Sequence, residues 1–476
     1  VTYQPPANGF RTFVILWATQ SVAVFGSALS FFAVTIWLTQ TLYPLPEQKP
    51  HLASALAAVS LAFALPTVFI APLAGAWADR HDRKRTMIAA DTLNGCLSLA
   101  LALLMLTQPL ELWMVISLAA LYATLGAFHF SAFDTSYAML VPEKQLPRAN
   151  GMMQTMWALS GILSPGIAAT IIALPALARQ GALGGAVGAT LATLHDGAPL
   201  AIALNVLTFF FSATMLTFLR IPSPQRMDLR AANGTQKSIW ADVQDGARYI
   251  WYRPPLLWLL GTFTVANFIS APLGIFIPLI VKFNLVADWL ARGLTFETAL
   301  ALLNTVGSIG GVVGGVLISV WGGLKRRRVY GVIGGLVVAG GAMTVLGLSP
   351  WLYLTAAMAF CAQGIVPIMN AHSQTIWQTQ TPREMQGRVF AVRRLIAQFS
   401  WPLGTVFAGV VGGLFNPGVV MALLGSILTL FCIGQLFNPY LLRVEDKTFL
   451  DEMAARKTEL RVSSDYQSRP VRWYER

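Results

Sequence analysis

Apolar runs of membrane-spanning length, separated by short polar connections, recur along this chain too often and run too long for a soluble core. They predict twelve transmembrane helices, at roughly 11–42, 53–77, 86–107, 111–140, 150–176, 200–219, 256–281, 297–321, 329–348, 350–378, 390–414 and 417–442. The expected fold class is an all-α polytopic membrane protein. The first run is too long for a signal-peptide core and is expected to stay in place as a helix. After the sixth run the pattern changes. Residues 220–254 are polar, and Ile239, Val243, Ala247, Ile250 and Trp251 recur at helical spacing after Ser238, a residue suited to an N-cap. This predicts an amphipathic helix lying on the inner membrane surface. The connection 177–199 is rich in Gly and Ala and carries His195 and Asp196, to which the sequence assigns no role. From Arg443 onward charges of both signs alternate without an apolar period, which predicts a short helix at 445–461 and then disorder.

A repeat divides the chain. VPEKQLPRANGMMQ at 141–154 is echoed 240 residues later by TPREMQGRVFAVRR at 381–394, matching Pro142 with Pro382 and Arg148 with Arg388. GGLKRRR at 322–328 echoes GAWADRHDRKR at 75–85 without its carboxylate. Two pseudo-symmetric six-helix halves follow, 1–219 and 255–442, with a cytoplasmic linker at 220–254 and a cytoplasmic tail at 443–476.

Composition adds direction. Hydrophobic residues make up 55% of the 476, charged residues 11%, and the net charge is +12. A basic balance can mark nucleic-acid binding, but here Lys and Arg are divided among short connections and the tail, so no nucleic-acid partner is expected. With the N-terminus inside, only Lys49, Arg179, Lys282 and Arg292 of the 33 Lys and Arg reach the outer side, which puts both ends in the cytoplasm. Cys96, Cys361 and Cys432 fall inside predicted spans without metal-ligand spacing, supporting neither a disulfide framework nor a metal site. No P-loop, nucleophile constellation or nucleotide domain is present. An enzyme and an ATP-driven pump are therefore disfavoured, no cofactor is expected, and energy must come from an ion or substrate gradient.

The stretch GAWADRHDRKR, Gly75 to Arg85, follows directly on an apolar run and reads as a tight charged hairpin between two helices. Gly75 and Ala78 would let helix ends approach, Asp79 places a carboxylate at the junction, and Arg80, Arg83, Lys84 and Arg85 hold the turn on the positive side. It resembles the signature loop of the major facilitator superfamily, Gly, any, Leu, Ala, Asp, Arg, any, Gly, Arg, Lys. Trp77 replaces the Leu and Asp82 the second Gly. The following Asp91, in MIAAD, resembles the subgroup containing macrolide efflux proteins and the enterobactin exporter. The resemblance implies a cavity lined by the first, second, fourth and fifth helices of each half, with the third and sixth peripheral. It implies an exporter of an amphipathic organic compound, a drug, macrolide or siderophore, across the cytoplasmic membrane of a prokaryote by proton antiport with alternating access. Substrate, protons and membrane lipids are the expected partners, and a monomer the expected state. A lipid or lysolipid flippase of the same fold, and a non-transporting assembly factor using His129 or His372 as an axial ligand, stay open. The antiporter motif of the fifth span is similar to Gly151, Ser160, Ser164-Pro165 and Ala168-Ala169, with small residues in place of every Gly after the first. Ser164, Pro165 and Ala168 would let that helix bend and slide against the other half. The glycines of the eighth span, Gly307 to Gly315, are expected to serve helix packing.

Ionisable residues inside a bilayer are functional candidates, because an unpaired one costs roughly 2.5 kcal/mol or more. The first span has no acid, unlike several proton antiporters of the superfamily. Asp91 lies about 9 Å in on a peripheral helix and is expected to pair with the hairpin arginines. Asp134 lies about 12 Å in on a helix expected to line the cavity, close to the midplane, and is the leading proton site. Its repeat partner is Gln374, and Arg393 or Arg394 reaches a similar depth to neutralise it. His129 and His372 can titrate near neutrality. Among Trp17, Phe25, Phe31, Trp37, Trp157, Phe268, Phe276, Trp377 and Trp401, about a third are expected to face the cavity. Trp37, Trp157 and Trp377 are the leading candidates there, with Gln154, Gln374 and Arg394 as polar lining.

Overall fold

In hydrocarbon every backbone N–H and C=O must be paired within its own segment, so long apolar runs become helices. A computed structural model describes residues 6, 8–107, 110–142, 145–221 and 239–467, the side chain of Asp79 lying outside the description. It contains twelve helices long and apolar enough to cross a membrane. In the first half these are α1 (Gly9–Leu42), α2 (Pro46–Phe69), α3 (Arg83–Thr107), α4 (Leu112–Tyr137), α5 (Arg148–Arg179) and α6 (Ala198–Phe218). In the second they are α7 (Pro254–Phe283), α8 (Phe296–Trp321), α9 (Arg328–Leu348), α10 (Leu352–Gln380), α11 (Met385–Leu414) and α12 (Pro417–Gln435). The Gly/Ala-rich connection after α5 folds a further short helix, Gly185–Ala192.

The second span starts earlier than its hydropathy suggests and ends at Phe69, and a separate helix, Ala71–Arg80, follows with Pro72 in its first turn. The charged stretch is therefore helical up to Arg80, where Trp77 stacks on His81 with centroids 3.6 Å apart. Gly75 does not serve close approach, since a Cβ there would meet nothing within 4 Å; Ala78, fully buried, does.

Within the halves, α3 packs on α6 and α1 on α5 and α6, while α8 packs on α10 and α9 on α10 and α12. Two of the eighth-span glycines carry that packing: a Cβ at Gly310 or Gly314 would strike the backbone carbonyl of Phe360 or Gly364 on α10. The halves meet along α2 with α11 and α5 with α8, a pairing with the symmetry of the repeat. The matched arginines also act alike. Arg148 lies over the Phe10 ring at 5.3 Å, and Arg388 pairs with Asp245 at 3.3 Å, each fastening the segment that leads into its own half.

One end of the bundle carries the two basic connections; it is called the hairpin end below, and the opposite one the far end. Cross-half hydrogen bonds cluster from the middle to the far end. Lys282 Nζ donates to the Tyr43 carbonyl at 2.8 Å and to the Thr39 carbonyl, Lys49 Nζ to the Phe415 carbonyl at 3.0 Å, and Thr305 Oγ1 to the Ile162 carbonyl at 3.1 Å. The acceptors on α1 belong to a π-helical turn, Leu38–Leu42, and the residue after it.

The linker helix, Ile239–Trp251, packs on α11 through part of its apolar face, while Ala247 and Trp251 of that face are exposed. Ile250 is buried in one cluster with Val389 and Val392 of α11, and Gly246 lies so close to the Arg388 carbonyl that a Cβ would be 2.5 Å from it. Its expected N-cap, Ser238, lies outside the described residues. The tail helix is longer than its charge pattern suggests, Lys447–Gln467. It bonds the linker through Lys457 Nζ to the Trp251 carbonyl at 2.7 Å, and Arg253 through Asp451 at 3.1 Å. Residues 468–476, expected to be disordered, lie outside the description.

Candidate functional site

Where the halves separate, they enclose a cavity of about 300 Å³ lined by Phe31 and Thr35 of α1, Ser164 and Pro165 of α5, Asn304 of α8 and Gln363 of α10, among others. Two larger spaces adjoin it. One of about 920 Å³ lies between α5 and α8 and shares Gly161, Gly307, Ser308 and Gln363 with the central cavity. The other, about 550 Å³, lies between α2 and α11 and shares Phe31 and Gly274. No charged side chain appears among the described residues lining the three. Their walls are aliphatic and aromatic with scattered hydroxyls and amides, which suits an amphipathic guest that offers few formal charges.

Of the nine aromatic candidates, Phe31, Trp157 and Trp401 line these spaces. Gln154 does too. Trp37 and Trp377 do not; both are core residues, 6% and 1% exposed. Gln374 is held by Arg393, whose Nη1 donates to its Oε1 at 2.7 Å and whose guanidinium lies 5.4 Å from the Trp377 ring centroid. The cation that reaches the repeat partner of Asp134 is thus Arg393, and Arg394 is exposed. Asp134 is itself exposed, one turn along α4 from Phe130, which packs on Trp157 at 5.5 Å.

The small residues of α5 divide their contacts. Ser164 Oγ donates to the Phe25 carbonyl of α1 at 3.1 Å and Ala168 is fully buried, whereas the other half is met through Gly161 beside Ser308 and through the Ile162 carbonyl.

Two of the hairpin cations donate to carbonyls. Arg83, 7% exposed, donates to Ala78 and Thr135, and Lys84 to Thr217 at 2.7 Å; Arg80 is exposed, and the Arg85 backbone N–H bonds the Asp82 carboxylate at 2.9 Å. Asp91 is not their partner. It is 1% exposed and faces the interior of the first half, 3.2 Å from His129 Nε2, and it accepts from Ser212 Oγ at 2.7 Å; Ser212 in turn accepts from Gln20 Nε2 at 2.8 Å. His372 serves the second basic connection: Nε2 accepts from the Leu324 N–H at 2.8 Å and Nδ1 donates to the Ile368 carbonyl at 2.7 Å, so neither ring nitrogen is available to a metal.

The profile of the Major Facilitator Superfamily matches residues 16–405. The chain belongs to that family. Among facilitator proteins it is similar to macrolide efflux protein A of Streptococcus pyogenes, 25% identical over 398 residues that cover 83% of this chain and 88% of that one. It is also similar to the multidrug efflux pump Tap of Mycolicibacterium fortuitum, 27% identical over 374 residues, 75% of this chain and 81% of that one. Its fold matches a bacterial homolog of the human lysosomal transporter Spinster in an inward-facing, unoccupied conformation, with a TM-score of 0.62 at 15% identity over 95% of this chain and 96% of that one. That last likeness shows the fold alone. The protein is an integral membrane transporter of small molecules, and not an enzyme.

Around Asp91 this facilitator carries further polar residues whose spacing is visible in the chain. Asp91, Asn94 and Ser98 fall on one face of α3, and Asn205, Thr208 and Ser212 on one face of α6. The two stripes meet, with Asn205 Nδ2 donating to Ser98 Oγ at 3.2 Å. Two polar faces at helical spacing on adjacent apolar helices are the signature of a buried contact.

Proposed function

We propose that this transporter exports an amphipathic organic compound with little formal charge, of the kind the names of its relatives suggest, across the cytoplasmic membrane of a prokaryote in exchange for protons. The observation that carries this reading is the uncharged, partly aromatic cavity between the halves. The hairpin end, with its basic connections, is cytoplasmic by the positive-inside rule, and both termini lie there. Cross-half bonds at the far end support the reading of this conformation as closed to the outside, one of the two that alternating access requires. Asp134, exposed on α4, is the residue through which the proton gradient acts. A lipid or lysolipid flippase is the second reading, favoured by the spaces between α2 and α11 and between α5 and α8.

The test is accumulation of labelled macrolide or fluorescent drug in proteoliposomes under an imposed pH difference. Asp134→Asn is expected to keep downhill exchange and to lose uphill accumulation by tenfold or more. Uphill transport by Asp134→Asn at the parental rate would remove Asp134 from the coupling. Movement of a labelled lysolipid in place of every drug tried would favour the flippase.

A further inference from the structure

The first half holds a second ionisable site that the transport reading leaves unused. Asp91 and His129 come from α3 and α4, are 1% and 8% exposed, and lie where α1 and α6 close over them. A carboxylate and an imidazole at 3.2 Å in a low-dielectric interior behave as one group with shared protons, not as two. With one proton the pair is neutral overall, and without it the pair carries one negative charge.

The charged groups around the pair are accounted for element by element. On α3, Arg83 and Lys84 are held by carbonyls of Ala78, Thr135 and Thr217. On α4, Tyr122 donates to Ser27 at 2.6 Å, and Asp134 is exposed, five residues beyond His129 and within its electrostatic reach. From α6 and α1 come only Ser212 and Gln20, which are uncharged. Among the described residues His129 is the one basic partner within ion-pair distance of Asp91.

Within this cluster two buried atoms are left over. His129 Nε2 faces Asp91 without the alignment of a hydrogen bond, and Asn94 Oδ1, one turn along the same face of α3, has no donor. A buried polar atom without a partner calls for an explanation, and for His129 Nε2 a proton exchanged with Asp91 supplies one.

We propose that Asp91 and His129 form an occluded binding site for one exchangeable proton, distinct from the exposed Asp134. A shift of α4 against α3 hydrates the pair and admits exchange; the conformation described here shuts it. The site belongs to the protein itself and does not require that a proton gradient drive export.

Infrared difference spectroscopy of the reconstituted protein, titrated from about pH 4 to about pH 9, tests this. The parental protein is expected to show a carboxyl band that is absent in Asp91→Asn, altered in frequency in Ser212→Ala, which removes the hydroxyl donating to it, and retained in Asp134→Asn. In heavy water the band should exchange about tenfold more slowly than the remaining carboxyl signal, as occlusion requires. If Asp91→Asn fails to fold, Ser212→Ala carries the test, because it keeps both titrating groups. Spectra of Asp91→Asn or Ser212→Ala indistinguishable from the parental ones, or exchange as fast as the bulk carboxyls, overturn the proposal. Absence of pH-driven transport in the parental protein would instead defeat the antiport reading and leave this one standing.

Discussion

At the scale of single residues, packing and hydrogen bonding decide what an intramembrane polar group does. His372 occupies a slot left by Gly331 and Gly323, where a Cβ would come within 2.7 Å and 2.9 Å of the ring, and Gly323 has φ +75° besides. Gly331→Ala is expected to push the ring off the Leu324 N–H and to cost about 1–3 kcal/mol, read as a lower unfolding temperature of the purified protein with faster hydrogen exchange at Leu324. An unchanged unfolding temperature would show that the slot has slack. That His129 and His372 are intramembrane imidazoles was legible in the chain; their partners were not, because a sequence gives depth along a helix but not which neighbour a side chain meets. Asp91 shows the difference most sharply: its depth pointed to the arginines, and its place in the 91/94/98 stripe pointed inward to Ser212.

At the scale of elements, the twelve spans were legible because an apolar run of that length has no alternative in a membrane. The linker and tail were harder, since an apolar face or a mixed-charge stretch does not say what covers it. Asp446 fixes the start of the tail helix by accepting from the Phe449 N–H at 3.1 Å and the Thr448 hydroxyl at 2.9 Å, with Arg443 at 2.7 Å on its other oxygen. The Arg443 guanidinium and these donors hold its carboxyl down at about 2. The ionised form makes the contacts, so their contribution is complete above the ordinary carboxylate range, about 3.9, and is lost progressively as pH falls from there through about 2. Tail-helix amides are therefore expected to exchange as slowly at about pH 4 as at neutrality once intrinsic rates are corrected, and faster in Asp446→Ala. Loosening of the parental tail at the milder acidity would show that the cap is not what holds it.

At the scale of the whole molecule, the described conformation is fastened across the far end by lysines that donate to backbone carbonyls. A hydrogen bond from a charged donor is worth about 1.5–3 kcal/mol, enough to move a two-state population about tenfold or more. Lys282→Met is expected to lengthen spin-label distances between the far ends of α1 and α7, measured in a background lacking the exposed Cys96 and Cys361. Distances unchanged from the parental protein would assign the closure to helix packing alone. The two-half architecture was legible from the repeat at 141–154 and 381–394; the closed end was not, because no lysine reveals which carbonyl it will find. One consequence of the fastened linker concerns how the gene can be divided. Since Asp245, Gly246, Tyr249 and Ile250 bind the linker helix to the second half, and Tyr249 donates to the Gln380 carbonyl at 2.7 Å, that half keeps its own strap when the chain is cut ahead of Ile239. Co-expressed fragments ending at Ile221 and beginning at Ile239 should co-purify as one assembly, whereas a second fragment starting at Pro254 should not.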